Sequence, residues 1–252
     1  MKPVSSPKPC LRVRAYFDFM DPWSYLARVR FVKAIHAKKI PTEIEWVPYQ
    51  LYRGNIDHFV ERKTIYGHET LQKVYADLHH LGVKENIIIR HPRYESSSLR
   101  ALTGYFYAMQ RGKGDAYMDL LYEQVFEQVN DISSLALLSR IAIKLGFNVQ
   151  EFIAFIEHSS HQNRVHHLTQ DAQEKGIAGL PTYIVNGIPV VGALTTPEWK
   201  EWLDQFTQHS TPLSKAIPLA QQKKKKTKSK PSSNQKRKRG KRKKGISLPR
   251  KR

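Results

Sequence analysis

The stretch that decides the fold is FDFMDPWSYLA, residues 17–27. Residues Leu11–Phe19, which lead into it, are rich in β-forming side chains and predict a strand. Aspartate followed by proline is a favourable helix start, so Asp21 and Pro22 predict that a helix begins there. A second short strand is predicted at Glu43–Pro48, parallel to the first because a helix separates the two. The chain therefore opens with a β-α-β unit.

A long helical region follows, and a hairpin comes after it. Six helices are predicted between Thr70 and Ala172 from the spacing of apolar residues. Their ranges are Leu71–Leu81, Ser98–Arg111, Ala116–Gln128, Ser133–Leu145, Val149–Ser159 and Asn163–Lys175. Strands at Thr182–Val185 and Ile188–Val191, with Asn186-Gly187 between them, predict a tight hairpin, and Pro197–Phe206 predicts a last helix. This order predicts an α/β, thioredoxin-like fold, with a helical domain (about residues 70–175) inserted between its βαβ and ββα halves.

Length and charge divide the chain into three parts. With 252 residues, 40% of them apolar, it is long enough for one domain with a sizeable core, which we place at residues 11–206. Residues 1–10 are interpreted as a flexible lead-in. Of the 42 lysines and arginines, 17 follow Gln221 without a single acidic residue, which leaves 25 basic against 22 acidic residues in the rest. Residues 207–252 are therefore predicted to be a disordered basic tail.

The cysteine and histidine content of the sequence limits which disulfide and metal chemistry the chain can have. Cys10 is the one cysteine, so the chain can form neither an internal disulfide nor a cysteine-rich metal site. The eleven histidines show no H-E-x-x-H spacing, and no metal is expected. The N-terminus lacks an apolar segment of signal-peptide length, and no window approaches the roughly 20 apolar residues of a membrane span. We therefore expect a cytoplasmic protein without a membrane span.

Two separated motifs carry a resemblance to a known family. Residues 21–24 (DPWS), followed by Tyr25-Leu26-Ala27, resemble the active-site turn of the DsbA superfamily branch that contains FrnE-like oxidoreductases, 2-hydroxychromene-2-carboxylate isomerases and kappa-class glutathione transferases. The oxidoreductases have Cys-Pro-Trp-Cys at this turn, and the isomerases have Ser-Pro-Tyr-Ser. Residues 176–187 (GIAGLPTYIVNG) resemble the family loop that carries a cis-proline, here Pro181.

The resemblance implies a ligand pocket at this turn. It would lie between Asp21–Ser24 and Leu180–Thr182 and would take a small molecule or a thiol peptide. The substrate-binding residues that it implies are Pro22, Trp23, Leu180, Pro181 and Thr182. Neither redox cysteine of the family turn is present, so dithiol chemistry is not expected.

Asp21 and Ser24 are the candidate catalytic residues, and each has an alternative explanation. Asp21 either caps the helix or acts as a general base or orienting carboxylate in the former thiol position. The helix N-terminus is expected to hold its pKa low, which would make it a poor base near pH 7. Ser24 matches the serine of the isomerase-like turns, but it can equally be a serine hydroxyl with a purely structural contact.

Glutathione is the cofactor that the resemblance implies, since the transferases and isomerases bring their thiol in with it. Two features of this sequence oppose it. An ionised Asp21 would repel a glutathione thiolate. The segment Gly192-Ala193-Leu194 lacks the acidic residue that the glutathione-binding relatives have there. The leading hypothesis is nevertheless a family member without the dithiol pair that acts on a small molecule as a glutathione-type isomerase or transferase.

The basic tail suggests a function of a different class. Clusters of positive charge could neutralise the phosphates of a nucleic acid, bind another polyanion, or be recognised as a bipartite nuclear-import signal. Their residues are Lys223, Lys224, Lys225, Lys226, Lys236, Arg237, Lys238, Arg239, Lys241, Arg242, Lys243 and Lys244. The alternative hypothesis is a catalytically inert binding module attached to nucleic acid by this tail, with nuclear import or nucleoid association as its localisation. A solvated tail without a specific partner is the third interpretation.

Overall fold

A computed structural model describes residues 10–52 and 60–208, and side chains as far as residue 205. Its strands are β1 (Leu11–Phe17), β2 (Thr42–Pro48), β3 (Val60–Glu61), β4 (Tyr94–Glu95), β5 (Thr182–Val185) and β6 (Ile188–Val191). Its helices are α1 (Pro22–Lys38), α2 (Arg62–Tyr66), α3 (His68–Lys84), α4 (Leu99–Gln110), α5 (Gly114–Tyr122), α6 (Leu135–Lys144), α7 (Val149–Glu157), α8 (Ser159–Glu174) and α9 (Thr196–Gln208). The predicted α/β fold with a helical insertion is confirmed.

The central sheet has four strands in the order β2-β1-β5-β6. Strand β1 pairs parallel with β2, as predicted, and antiparallel with β5. The predicted hairpin of β5 and β6 is also confirmed, and its two turn residues, Asn186 and Gly187, have positive φ angles of 46° and 86°. Both angles suit a tight two-residue turn. The sheet thus brings the end of β1 next to the start of β5.

Helix α1 follows β1 after four residues and packs into the core. Phe31 and Leu26 are fully buried, and the Phe31 ring lies 4.7 Å from the ring of Trp199 on α9. The helix ends where Lys39 adopts a left-handed conformation, with φ of 52°. Its N-terminus is therefore fixed against the sheet, because both the preceding strand and the packed helix face are buried.

The first predicted strand is too long by two residues. It ends at Phe17 because the buried Asp18 carboxylate accepts hydrogen bonds from the nearby Met20 amide and from the Leu51 amide, and these bonds replace the strand ladder. The predicted helix Ala116–Gln128 also differs. It is α-helical only to Tyr122 and continues as a π-helical turn over Glu123–Glu127.

The sequence-based prediction missed three short elements between β2 and α4. Strands β3 and β4 pair antiparallel, with Val60 opposite Glu95 and Glu61 opposite Tyr94. Helix α2 begins directly after β3 at Arg62. This pairing places Arg62 and Glu95 close together, although they are 33 positions apart in the chain.

Within the described ranges, none of the helices combines the length and the apolar character that crossing a bilayer would require. Residues 1–9 and most of the predicted tail, residues 209–252, lie outside those ranges. The predicted lead-in and the disorder of the tail therefore stay predictions.

Candidate functional site

Asp21 lies at the start of helix α1 and caps it. Its Oδ2 atom accepts hydrogen bonds from the Ser24 amide at 2.8 Å and from the Ser24 hydroxyl at 2.6 Å. Its Oδ1 atom accepts a longer bond of 3.4 Å from the Trp23 amide. Pro22 occupies the first helical position, where the missing amide hydrogen costs nothing. The capping interpretation of Asp21 is thus confirmed in its geometry.

The electrostatics of Asp21 contradict the expectation of a low pKa. Asp21 is only 6% exposed, and burial raises the pKa of its carboxyl group from 3.8 to about 6. The bonds from Ser24 and Trp23 oppose this rise, while the charge of the neighbouring Asp18 adds to it. The prediction was wrong because it considered only that the helix N-terminus lowers the pKa of Asp21. It left out the loss of water around a buried carboxylate, which raises the pKa. A group with this pKa can exchange a proton near neutral pH.

Ser24 is buried at the start of helix α1. It is 2% exposed, and its hydroxyl donates a hydrogen bond to the Asp21 carboxylate. This geometry gives Ser24 a positioning contact with Asp21, which the sequence could suggest from their spacing of three residues at a helix start. Its role as a catalytic residue stays a prediction.

A cavity of about 200 Å³ opens beside Asp21. Its apolar lining comes from Met20, Pro22, Trp23, Leu71 and Val74. Its polar lining includes Asp18, Asp21, Arg62, Tyr75 and Glu95. A partly apolar site with a few converging polar groups is typical of a small-molecule site.

Asp18 holds two walls of this cavity together. Its Oδ1 atom accepts from the Met20 amide at 3.0 Å and its Oδ2 atom from the Leu51 amide at 2.7 Å. A further side-chain hydrogen bond comes from Ser98. Burial raises the pKa of Asp18, and the bonds from Leu51 and Met20 oppose that rise. This residue therefore ties the end of β1 to the segments after β2 and before α4.

The predicted pocket and the observed cavity share only one side. Pro22 and Trp23 line the cavity as predicted, but the lining does not include Leu180, Pro181 or Thr182. The Leu180–Pro181 bond is cis, as expected, and Thr182 is buried with its hydroxyl bound to the Gly179 carbonyl at 2.7 Å. The placement of the pocket differs because α2, α3 and β4 supply the other walls.

Arg62 and Glu95 were missed as site residues. Arg62 stands in a charged run (ERK, residues 61–63), which is typical of a solvated surface, yet the residue is only 6% exposed. Glu95 lies in the two-residue strand β4, which is too short to be predicted from periodicity. Asp18 could have been suspected, because a charged residue between Phe17 and Phe19 interrupts the apolar end of the predicted strand.

A second, larger hollow of about 710 Å³ lies over the sheet, away from Asp21. Its charged residues pair with each other across the parallel strands: Arg12 with Glu43 at 3.6 Å, and Arg14 with Glu45 at 2.7 Å. In each pair, the arginine and the glutamate neutralise each other's charge. The smaller cavity at Asp21 is therefore the better candidate for chemistry.

Residues 12–204 match the family model of the DSBA-like thioredoxin domain. The chain belongs to the DsbA-like thioredoxin family. Its single cysteine, Cys10, lies outside the turn at residues 21–24, so this DsbA-like protein has no Cys-x-x-Cys pair.

Several relatives and solved structures are similar to this DsbA-like protein. The uncharacterized protein YwbO of Bacillus subtilis is 23% identical over 189 residues, which cover 73% of this chain and 90% of YwbO. A probable DsbA oxidoreductase from Streptomyces coelicolor has a TM-score of 0.70 at 22% identity, covering 82% of this chain and 94% of that one. A 2-hydroxychromene-2-carboxylate isomerase has a TM-score of 0.66 at 22% identity, covering 78% and 96%. These likenesses establish the shared fold.

The twelve predicted polyanion-binding residues of the tail lie outside the described ranges. Their function stays a prediction that rests on the charge of the sequence.

Proposed function

We propose that this DsbA-like protein is an isomerase-like enzyme that binds a small organic molecule beside Asp21 and moves a proton with that carboxyl group. The observation that carries the proposal is the position of Asp21: it is buried, it borders a partly apolar cavity, and it begins the turn that resembles the active-site turn of the family. The likeness to an isomerase structure supports the choice of reaction class.

The proposed step is a proton shift within one substrate molecule. With a cyclic hemiketal such as 2-hydroxychromene-2-carboxylate, the Asp21 carboxylate removes the hydroxyl proton, the electron pair of that O–H bond forms a carbonyl, and the ring C–O bond breaks with its electron pair on the ring oxygen. The same carboxyl group then returns the proton to a different atom, so atoms and charge balance without an oxidant. A pKa of about 6 suits both halves of the cycle, because the group is mostly ionised at pH 7 and still holds a returned proton briefly.

Two features support Asp21 in this role. The Ser24 hydroxyl and amide fix the orientation of the carboxyl group. The apolar side chains of Trp23 and Val74 line the space that a substrate would fill. Such walls exclude water, and a proton transfer is then confined to the bound molecule and the fixed carboxyl group.

The first experiment asks whether Asp21 titrates and catalyses as proposed. Carboxyl-carbon NMR of the protein should show Asp21 with a pKa of about 6. With 2-hydroxychromene-2-carboxylate as the probe, absorbance spectra should show isomerisation whose rate rises with pH and levels off above about pH 7. Asp21→Asn should lower that rate about a hundredfold, in the range typical of a lost general base.

The same reaction is measured with and without added glutathione. If the thiol is a co-substrate, as the family resemblance implies, the rate depends on added glutathione and calorimetry detects its binding. If the rate is the same without it, Asp21 alone moves the proton. A pKa of Asp21 below 4, with no reaction in either arm, contradicts the proposal.

The second candidate function is polyanion binding by the tail, and the observation that favours it is the concentration of 17 basic residues after Gln221. We expect the full chain to bind duplex DNA with an affinity that falls linearly with the logarithm of salt concentration, because each neutralised phosphate releases counterions. A chain lacking residues 213–252 should lose this binding.

Fluorescence anisotropy with a labelled duplex, measured over a range of salt concentrations, gives both results. The truncated chain, with nearly balanced charge, is the matched control. Salt-independent binding, or no binding at low ionic strength, contradicts this second candidate.

A further inference from the structure

We propose that the cavity beside Asp21 binds the carboxylate group of a small organic acid through Arg62 and Tyr75. The inference deepens the proposed function by naming its substrate class, and it rests on that function only for the reaction that follows binding. It is carried by polar atoms that are buried at the cavity without a partner.

Arg62 is the centre of this site. The residue is 6% exposed, and its Nε and Nη1 atoms have no hydrogen-bond partner among the residues that the structure describes. Its guanidinium group lies 5.2 Å from the ring centre of Tyr66 and 6.0 Å from that of Tyr75. These contacts orient the planar group but do not satisfy its donors. Buried donors without a partner are rare and costly, so an acceptor is expected at this place.

Glu95 does not supply that acceptor. Its Oε2 atom lies 3.3 Å from Arg62 Nη1, yet no hydrogen bond forms, and both atoms remain without a partner. Burial raises the pKa of the Glu95 carboxyl, and the charge of Arg62 opposes that rise.

Tyr75 contributes a third unpaired group. It is 6% exposed, it lines the cavity, and its hydroxyl has no partner. Unpaired donors therefore come from Arg62 and Tyr75, against a single unpaired acceptor atom on Glu95.

This set of groups selects an anion with several acceptor atoms. A carboxylate offers two oxygens to Arg62 and Tyr75, and its charge pairs with the guanidinium group. A protonated amine would leave the same donors unpaired. Asp18 and Asp21 also border the cavity, but their carboxylates already accept hydrogen bonds, from the amides of Met20 and Leu51 and from Ser24 respectively.

The size and walls of the cavity limit the rest of the ligand. About 200 Å³ accommodates one ring, since apolar cavities of about 150 Å³ hold benzene. Trp23, Leu71 and Val74 offer apolar contact to such a ring. The substrate class is thus a small acid with an apolar body of about one ring.

The test is isothermal titration calorimetry of the full chain at pH 7 with three probes of the same shape. Benzoate is expected to bind at least tenfold more tightly than benzamide, which is neutral, and than benzamidine, which is a cation. Equal affinity for benzamide, or preference for benzamidine, would overturn the assignment, because either result shows that a carboxylate is not what the site recognises.

Three variants locate the binding group. Arg62→Gln should reduce benzoate affinity at least tenfold. Tyr75→Phe should reduce it severalfold without lowering stability, because it removes a hydroxyl that has no partner in the protein. Tyr105→Phe is the matched control: its hydroxyl is also buried and unpaired, but it does not line the cavity, so affinity should stay unchanged. If Arg62→Gln does not fold, Tyr75→Phe against Tyr105→Phe still decides the question, and unchanged affinity in Tyr75→Phe overturns the inference.

Asp21→Asn separates this inference from the proposed function. We expect it to retain benzoate binding and to lose isomerisation. If the wild type binds benzoate through Arg62 but isomerises nothing, the substrate-class inference stands and the proposed reaction fails. If isomerisation occurs without a preference for carboxylates, the reverse holds.

Discussion

Replacing Asp21 by asparagine should raise the free energy of unfolding, relative to the wild type, by about 2 kcal/mol more at pH 8 than at pH 4. The reason is the pKa of Asp21, which folding raises from 3.8 to about 6. Each pKa unit corresponds to 1.36 kcal/mol, and the carboxyl is buried, so solvent does not screen this difference appreciably. Asparagine keeps a side-chain oxygen at the cap and carries no charge.

The sign of the effect follows from proton binding. Between pH 4 and pH 6 the folded state holds a proton on Asp21 that the unfolded state has released. The stability that this proton contributes is complete below about pH 3.8 and is lost as the pH rises through about 6. The wild type therefore loses stability over this range relative to Asp21→Asn.

Urea denaturation of both proteins at pH 4 and pH 8 measures this difference. Comparing the two pH values cancels any packing change that does not depend on pH. An ordinary helix cap with a lowered pKa gives the opposite sign, with the aspartate protein gaining stability towards pH 8. That outcome would refute the claim that burial makes ionisation of Asp21 less favourable in the folded protein.

Asp18→Ala is expected to lower the free energy of unfolding by at least about 3 kcal/mol. The substitution leaves the amides of Met20 and Leu51 without their acceptor and removes the contact with Ser98. Each buried group left unpaired costs about 1–3 kcal/mol. Asp18→Asn should be intermediate, because an amide side chain offers one acceptor oxygen in place of two.

Glu45→Ala is the surface control for this measurement. Its ion pair with Arg14 is also short, at 2.7 Å, but the two side chains are 58% and 41% exposed. We expect a loss below about 1 kcal/mol, as for most exposed pairs. If Asp18→Ala costs no more than Glu45→Ala in urea denaturation, Asp18 does not hold the cavity walls together.

The elements that could be predicted from the sequence are those with a local cause. Asp21 and Pro22 start helix α1 by capping and by a fixed backbone angle, and Asn186-Gly187 closes the hairpin through turn geometry. Neither feature needs a distant part of the chain. The same holds for the strand Thr182–Val185, whose bounds agree with the prediction.

The features that escaped prediction depend on residues far apart in the sequence. Arg62 meets Glu95 only because two very short strands pair, and no periodic pattern marks a two-residue strand. The pKa of Asp21 depends on how much protein covers it, which its neighbours in the sequence do not reveal. The turn could thus be predicted, but the pocket beside it could not.

Because β3 pairs with β4, the residues around the cavity come from two different parts of the fold. Asp21 belongs to the strand-to-helix turn of the central sheet, whereas Arg62 and Glu95 belong to a peripheral module that reaches the cavity from outside the sheet. Substitutions in that module can change the lining of the cavity without disturbing the helix start that carries Asp21. If the two proposals hold, ligand preference and reactivity can accordingly diverge independently among proteins that share this architecture.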